Sequence, residues 1–357
     1  MKILTSLLQK MVSKAIQGAS NNKNLPLTSL MGIEAKGDIL TLTTIDGSNI
    51  FKVRQVVESV EDFYTIVNAD TFAKLIGKTT TEYITLENKE NYLEFRGNGT
   101  NKFEIAINEE GEMVRFPEIK DIQGEGLSLN LPIIQEQIKT AKASVAKTME
   151  LPCLTGYYIG NNIITTDREL ICSIKNLEMK EPILISNEMA ELILLIDGAE
   201  ILEIVKKDND LILYTDKYTI AGKELEGKEN YPVQQIEDLL QTNKYENTIK
   251  VNKQELLNVL SRLSIFISDY DKNGVYLQFS NDGLTLQSQK SNAIEVVEAI
   301  EKTEIKSFNC LIDIDMLKSQ VETVSTDMIE IQYGQEKSIK ITDGNCTHII
   351  SLLEKSN

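Results

Sequence analysis

The sequence has no tryptophan, a single histidine and six prolines in 357 residues. Each shortage narrows what the chain can do. His348 lies in an alternating C-terminal strand and reads as structural. Without further histidine, catalytic triads of the usual kind and histidine-based metal sites are not expected. The cysteines at 153, 172, 310 and 346 form no C-x-x-C pair. That spacing favours neither zinc ligation nor a disulfide framework, and it reads as four buried thiols in a reducing cytoplasm. No apolar run approaches the ~18 residues of a membrane span. Lys10 and Lys14 break the apolar start, and no small-residue cleavage pattern follows it, so a signal peptide is not expected. No G-x-x-x-x-G-K-[ST] phosphate loop occurs. Positive charge is also scarce: the net charge is −17, which argues against a broad basic surface for nucleic acid.

Against these shortages stands a repeat of roughly sixty residues. In each copy a short apolar strand runs into a capping residue, then an amphipathic helix, then several alternating strands. The cap candidates Asn68, Asn130, Ser186, Asn252 and Asp313 are 62, 56, 66 and 61 residues apart. One step back lands at Thr5 and Ser6, where another helix begins. Leu4, Leu7, Leu8, Met11, Val12, Ala15 and Ile16 form its apolar stripe, and Gly18 ends it. The next helix turns Phe72, Leu75 and Ile76 inward and stops at Gly77. Later stripes are Ile133, Ile134, Ile138, Ala141 and Val145; Met189, Leu192, Ile193 and Ile196; Leu256, Leu257, Leu260 and Leu263; and Met316, Leu317, Val321 and Val324.

Segments of period two fill the intervals, among them Ile39 to Thr43, Tyr92 to Phe95, Leu211 to Tyr214, Val275 to Phe279 and Ile329 to Tyr333. The pattern is α+β with antiparallel sheets. Polar stretches at 117–126 and 231–247 suggest three domains, 1–122, 123–245 and 246–357, each with two helices. The six helical segments together carry +1 and the remainder −18. If the helices line one wall and the sheets form the outside, that wall repels phosphate least. Screening over about 8 Å lets a nearby wall outweigh a distant rim.

The order of several short motifs resembles the bacterial DNA polymerase III β subunit, the sliding-clamp family, from about residue 4 to 353. These motifs are Leu25-Pro26 followed by Gly37-Asp38-Ile39-Leu40-Thr41-Leu42; Phe116-Pro117 and Tyr231-Pro232; Leu154-Thr155-Gly156 with Thr165-Thr166-Asp167-Arg168; and Gly274-Val275-Tyr276-Leu277 with Asn281-Asp282-Gly283-Leu284. The resemblance implies three similar clamp domains and a head-to-tail dimeric ring with helices inside. It places Phe103 and Ile105 against Phe266 and Ile267 of a second copy, with Arg96 and Lys102 facing Glu295, Glu298 and Glu301. It implies a partner-peptide pocket at Leu154, Thr166, Arg168, Leu170, Ile349, Ser351, Leu352 and Leu353. There the family's Asp-Gly-His-Arg run is replaced by Asp167-Arg168-Glu169, and the usual C-terminal ending by Ser351-Leu352-Leu353 and a polar tail. These departures mark a divergent member, of the kind a phage or plasmid replicon carries.

For DNA contact the candidates are Lys10, Lys14, Lys23, Lys74, Lys78, Lys139, Lys142, Lys147 and Arg262. Cys153 and Pro152 stand where the family has contact residues. The expected function is that of a sliding clamp without catalysis of its own. Its expected partners are double-stranded DNA, the replicative polymerase and a clamp loader; no cofactor, metal or membrane is expected. Two alternatives remain from other classes: a repeat-built structural or phage assembly protein, and a Mg²⁺-dependent nuclease built on carboxylates. Against the nuclease, Asp208-Asn209-Asp210 reads as a turn.

Overall fold

The structure, a computed structural model, describes all residues except 21, 23, 59–60, 120–125, 176–178, 180, 268–272, 290–292, 301–306 and 355–357. Lys23 and Glu301 lie outside the described residues. Among those described, the chain is α+β, with 24 strands, all paired antiparallel, and seven α-helices. The helices are α1 (Thr5–Ala15), α2 (Ala69–Lys78), α3 (Leu131–Ala141), α4 (Asn187–Leu195), α5 (Val233–Thr242), α6 (Lys253–Leu263) and α7 (Ile314–Thr323).

Six of these begin where the repeat places them. Asn68 accepts the Thr71 N–H and Asn252 the Glu255 N–H; Asp313 accepts those of Asp315 and Met316. Each cap satisfies donors that the first helical turn leaves unpaired. Asn130 does the same for Ile133 at 3.1 Å. The apolar stripes are buried or half-buried, with two exposed exceptions. Leu4 precedes α1 in extended conformation and is 44% exposed. Ile133 sits on the outer side of α3, and Leu131 takes the inward position three residues before Ile134.

The segment 231–247, read from sequence as a boundary stretch, holds α5 instead. Val233, Ile236, Leu239 and Leu240 recur at helical spacing and pack on a cluster of Leu154, Ile164, Ile171, Tyr231 and Ile349. Amide and acidic residues on the outer face mask that stripe in the sequence.

The chain separates into two compact units, one of Met1–Gln135 with Glu188–Glu224, the other of Glu136–Asn187 with Leu225–Asn357. Each is organised on an eight-stranded sheet. In the first unit the strands run Phe63–Asn68, Leu30–Lys36, Ile39–Ile45, Ile50–Val56, Tyr218–Lys223, Asp210–Tyr214, Ile201–Lys207 and Gly126–Asn130. In the second they run Ile183–Ser186, Gly156–Ile159, Asn162–Thr166, Leu170–Lys175, Cys346–Ser351, Ser338–Asp343, Met328–Tyr333 and Asn247–Asn252. Strands of the sequence segment 123–245 thus belong to both sheets. The seams are Val53 opposite Tyr218 in the first unit and Leu170 opposite Ile350 in the second. Each unit also has a four-stranded sheet: Lys2–Leu4, Tyr83–Asn88, Tyr92–Arg96 and Thr100–Glu104 in the first, and Ile294–Glu298, Gly283–Ser288, Gly274–Ser280 and Phe308–Asp313 in the second.

Candidate nucleic-acid and partner surfaces

The lysines of α1 are drawn into a network. Lys14 donates to the Leu195 carbonyl at 2.7 Å, where the end of α4 concentrates unpaired acceptors. Lys10 and Lys14 also lie 3.3 and 3.6 Å from the Asp197 carboxylate. That carboxylate accepts a 2.6 Å hydrogen bond from the buried Tyr218 hydroxyl. The Tyr218 bond, helped by Lys10 and Lys14, holds Asp197 below the usual carboxylate range. Lys14 is therefore a structural tie rather than a free phosphate contact.

A carboxyl depressed in the folded state stabilises above its unfolded pKa of ~3.9, and that contribution is lost as pH falls through the folded value. Tyr218→Phe is expected to cost about 1 kcal/mol at pH 7. The low end applies because the Asp197 side chain is 40% exposed. The difference from the parent should shrink on acidification towards about pH 3, as urea unfolding at the two pH values will measure.

Other candidate cations divide by pairing. Lys74 is held by Asp70 one turn earlier, and Arg262 donates twice to Glu295 at 2.9 and 2.8 Å. Arg262 is thus occupied within its own chain, and so is Glu295, which the resemblance assigned to a second copy. Lys78, Lys139 and Lys147 are exposed and in no ion pair among the described residues. Lys142 is exposed beside them in sequence, just past α3.

Three of the eight expected pocket residues, Leu154, Arg168 and Leu170, line a groove of about 710 Å³ in the second unit. Its apolar lining adds Ala146, Leu151 and Met316; its charged lining is Lys142, Lys147 and Arg168 against Glu150, Asp167, Glu169, Asp313 and Asp315. The contribution of α7 was not legible in the sequence. The loop behind Arg168 is tightly fixed. Asp167 accepts the N–H of Glu169 and of Leu170, and the Thr166 hydroxyl accepts from Arg168 N–H and donates to the Leu170 carbonyl. The turn needs a left-handed residue, and Arg168 supplies it at φ 85°. Gly156 allows close packing nearby, since a Cβ there would stand 2.4 Å from the Ile185 carbonyl oxygen.

The other five expected residues are placed differently. Thr166 and Ile349 are as buried as Leu154 and Leu170 but do not line the groove. Leu352 packs on the core of the second unit. Ser351 and Leu353 give their N–H groups to Glu169 and Leu311.

Several of the expected dimer residues lie at or beside two sheet edges. Strand Thr100–Glu104, carrying Lys102 and Phe103, is an edge of one four-stranded sheet, and Ile294–Glu298 is an edge of the other. Phe103 and Ile105 are 7% and 8% exposed. Phe103 packs edge-on to Phe72 and Phe95 within its own unit. Arg96 donates to Glu94 at 2.6 Å and pairs with Glu87, and Lys102 lies over the Tyr92 ring. On the other edge Phe266, Ile294 and Val296 are more than half exposed, as is Ile265 at 78%. Glu298 is exposed and Ile267 half-buried. The exposure of Ile294 and Val296 was not foreseen, because period two says which residues share a face but not which face meets water.

The four cysteines are free and buried. Cys172 and Cys346 lie Sγ to Sγ at 3.7 Å, and Cys346 Sγ is 3.2 Å from His348 Nε2. The hydrogen bond from Cys172, with help from His348, pushes the Cys346 thiol down, while the same bond and burial push Cys172 up. The 174 residues between the two cysteines hid this cluster from any spacing rule.

The architecture is that of a DNA sliding clamp, and the likeness runs the length of the chain. The β subunit of DNA polymerase III from Thermotoga maritima superposes with a TM-score of 0.85 at 14% identity, covering 99% of both chains. That from Borrelia burgdorferi, solved in complex with a natural product, gives 0.86 at 18%, again with 99% of both chains covered. In sequence, the beta sliding clamp of Staphylococcus epidermidis is 20% identical over 351 aligned residues, covering 90% of this chain and 89% of the relative. No family model matches. The chain thus resembles the bacterial β sliding clamps in sequence and has their fold.

Proposed function

We propose that the chain is a DNA sliding clamp, a non-catalytic processivity factor that encircles duplex DNA and tethers the replicative polymerase. The observation that carries this reading is a fold likeness covering 99% of this chain and 99% of the solved β subunits. The recurring strand, cap and helix support three repeats, 1–122, 123–245 and 246–357, although the sheets cross those limits. Two sheet edges support head-to-tail pairing: Thr100–Glu104 bearing Lys102, and Ile294–Glu298 bearing Glu298 and exposed apolar residues. Unpaired edge backbone invites another strand. Among the described residues Glu298 remains the expected acid available to face Lys102, since Glu295 is taken by Arg262.

Lys78, Lys139, Lys142 and Lys147 are the proposed phosphate contacts. A few weak contacts suit a ring that must slide, because each neutralised phosphate adds salt-dependent affinity. The groove at Leu154 and Leu170 is the proposed seat for a partner peptide of the polymerase or loader, anchored by apolar side chains. Its five acids against three bases favour a peptide with a basic flank. A cytoplasmic location fits four free thiols. Among the described residues no helix is long and apolar enough to cross a membrane.

The test is assembly and topology together. Sedimentation should give twice the 40.1 kDa chain mass, and negative-stain images should show a ring with a central hole. Loaded on nicked circular DNA by a bacterial clamp loader with ATP, the protein should survive a high-salt wash and be lost on linearisation. A monomer at high micromolar concentration, or particles without an aperture, would refute the reading.

A further inference from the structure

Within the second eight-stranded sheet, Cys172 stands directly opposite His348, while Cys346 stands opposite Ile174. Residues two apart share a face of a strand, so Cys172, Cys346 and His348 project together. Their ligand atoms all lie within 4.8 Å of one another, and all three residues are buried. The second ring nitrogen, His348 Nδ1, is 2.8 Å from Gln320 Oε1 on α7. A carboxamide oxygen only accepts, so Nδ1 carries the proton and Nε2 presents its lone pair to the sulfurs. The Ser144 hydroxyl donates to the same Gln320 oxygen at 3.2 Å, fixing the amide.

We infer that Cys172, Cys346 and His348 form a buried binding site for a soft metal ion, Zn²⁺. Two Zn–S bonds of about 2.3 Å at a tetrahedral angle set their sulfurs about 3.8 Å apart, and the observed separation is 3.7 Å. Imidazole at Nε2 supplies the third donor. The Gln320 contact to Nδ1 is the outer-shell partner that metal-bound histidines use to fix ring orientation. The Thr323 hydroxyl lies 3.5 Å from Nε2. Binding releases both thiol protons to solvent. The two thiolates then neutralise the dication, so no net charge is left in the interior. Hard cations such as Mg²⁺ prefer oxygen donors and are excluded by this set.

A disulfide is the competing fate for the pair. The cysteines are diagonal neighbours across an antiparallel ladder, a relation that separates Cα atoms by about 7–8 Å. Disulfides span about 4.4–6.8 Å between Cα atoms, so an ion bridges this pair more readily than a bond. The ion would fasten two central strands of the sheet and, through Gln320, α7. Binding to the folded state alone raises stability by mass action.

The full chain, purified reduced and stripped by chelator, is titrated with Co²⁺ and then Zn²⁺. Sulfur-to-cobalt charge-transfer absorption and tetrahedral d–d bands are expected at one Co²⁺ per chain. One equivalent of Zn²⁺ should abolish them, and Tm should rise with Zn²⁺ but not with Mg²⁺. Cys346→Ser and Cys172→Ser should each lose the charge-transfer band while circular dichroism reports a native fold; Cys153→Ser and Cys310→Ser should keep it. Gln320→Leu should keep the spectrum and weaken affinity roughly 10- to 100-fold. Folded parent protein that gives no such bands overturns the inference, with no variant needed. So do bands that persist in the Cys172→Ser/Cys346→Ser double variant, or a Cys172–Cys346 disulfide formed under the titration conditions.

Discussion

Phe279→Ala should lower the unfolding free energy by about 3–5 kcal/mol. Phe279 is fully buried on strand Gly274–Ser280. Its ring stacks on Tyr333 with centroids 3.9 Å apart and meets Phe308 at 6.1 Å. These three rings join the four-stranded and eight-stranded sheets of the second unit, so truncation leaves a cavity that rigid strands on either side cannot close. Tyr333→Phe is the contrasting case. Its hydroxyl is buried with no hydrogen-bond partner among the described residues, and burial pushes its pKa up to about 12. Removing that oxygen relieves an unmet polar group, so the change should be neutral or stabilising by up to about 1 kcal/mol. Urea unfolding followed by near-ultraviolet circular dichroism separates the two outcomes. Comparable losses for both would mean that ring packing is not what holds this core.

Phe266→Asp should weaken self-association at least roughly 30-fold, the effect of losing a contact worth about 2 kcal/mol at the centre of an interface. Phe266 is 56% exposed and follows α6 beside Ile265. A carboxylate there leaves the fold intact and places a desolvated charge in the proposed contact. Phe103→Asp should behave otherwise. Phe103 is wedged between Phe72 and Phe95, so its replacement should unfold the first unit at any protein concentration. Concentration-dependent sedimentation distinguishes dissociation from unfolding. A Phe266→Asp protein that remains dimeric would remove the edge at Ile294–Glu298 from the interface.

The sequence carried the local features well. Asn68, Asn252 and Asp313 are caps because their side chains are short acceptors just before an apolar stripe, and such signals lie within four residues of what they control. Pro232 and an amide-rich outer face concealed α5 for the same local reason, applied in reverse. Long-range pairings were not legible. Nothing near Arg262 in the chain announces Glu295, 33 residues later, and nothing near Lys14 announces the end of α4. Phe103 and Ile105 illustrate a further limit. The resemblance placed both against a second copy, but a core and an interface are equally apolar, and only the packed structure shows how far they are buried in their own unit. Cys172 and Cys346 look unrelated until the ladder fixes their register.

The seam between Val53 and Tyr218 has a consequence for biosynthesis. When strand Ile50–Val56 leaves the ribosome, the strand that will cover its outer edge lies some 165 codons downstream. At bacterial elongation rates the nascent sheet waits on the order of ten to thirty seconds with that flank bare. Throughout that interval the bare flank of one half-finished copy is open to pairing with that of the next.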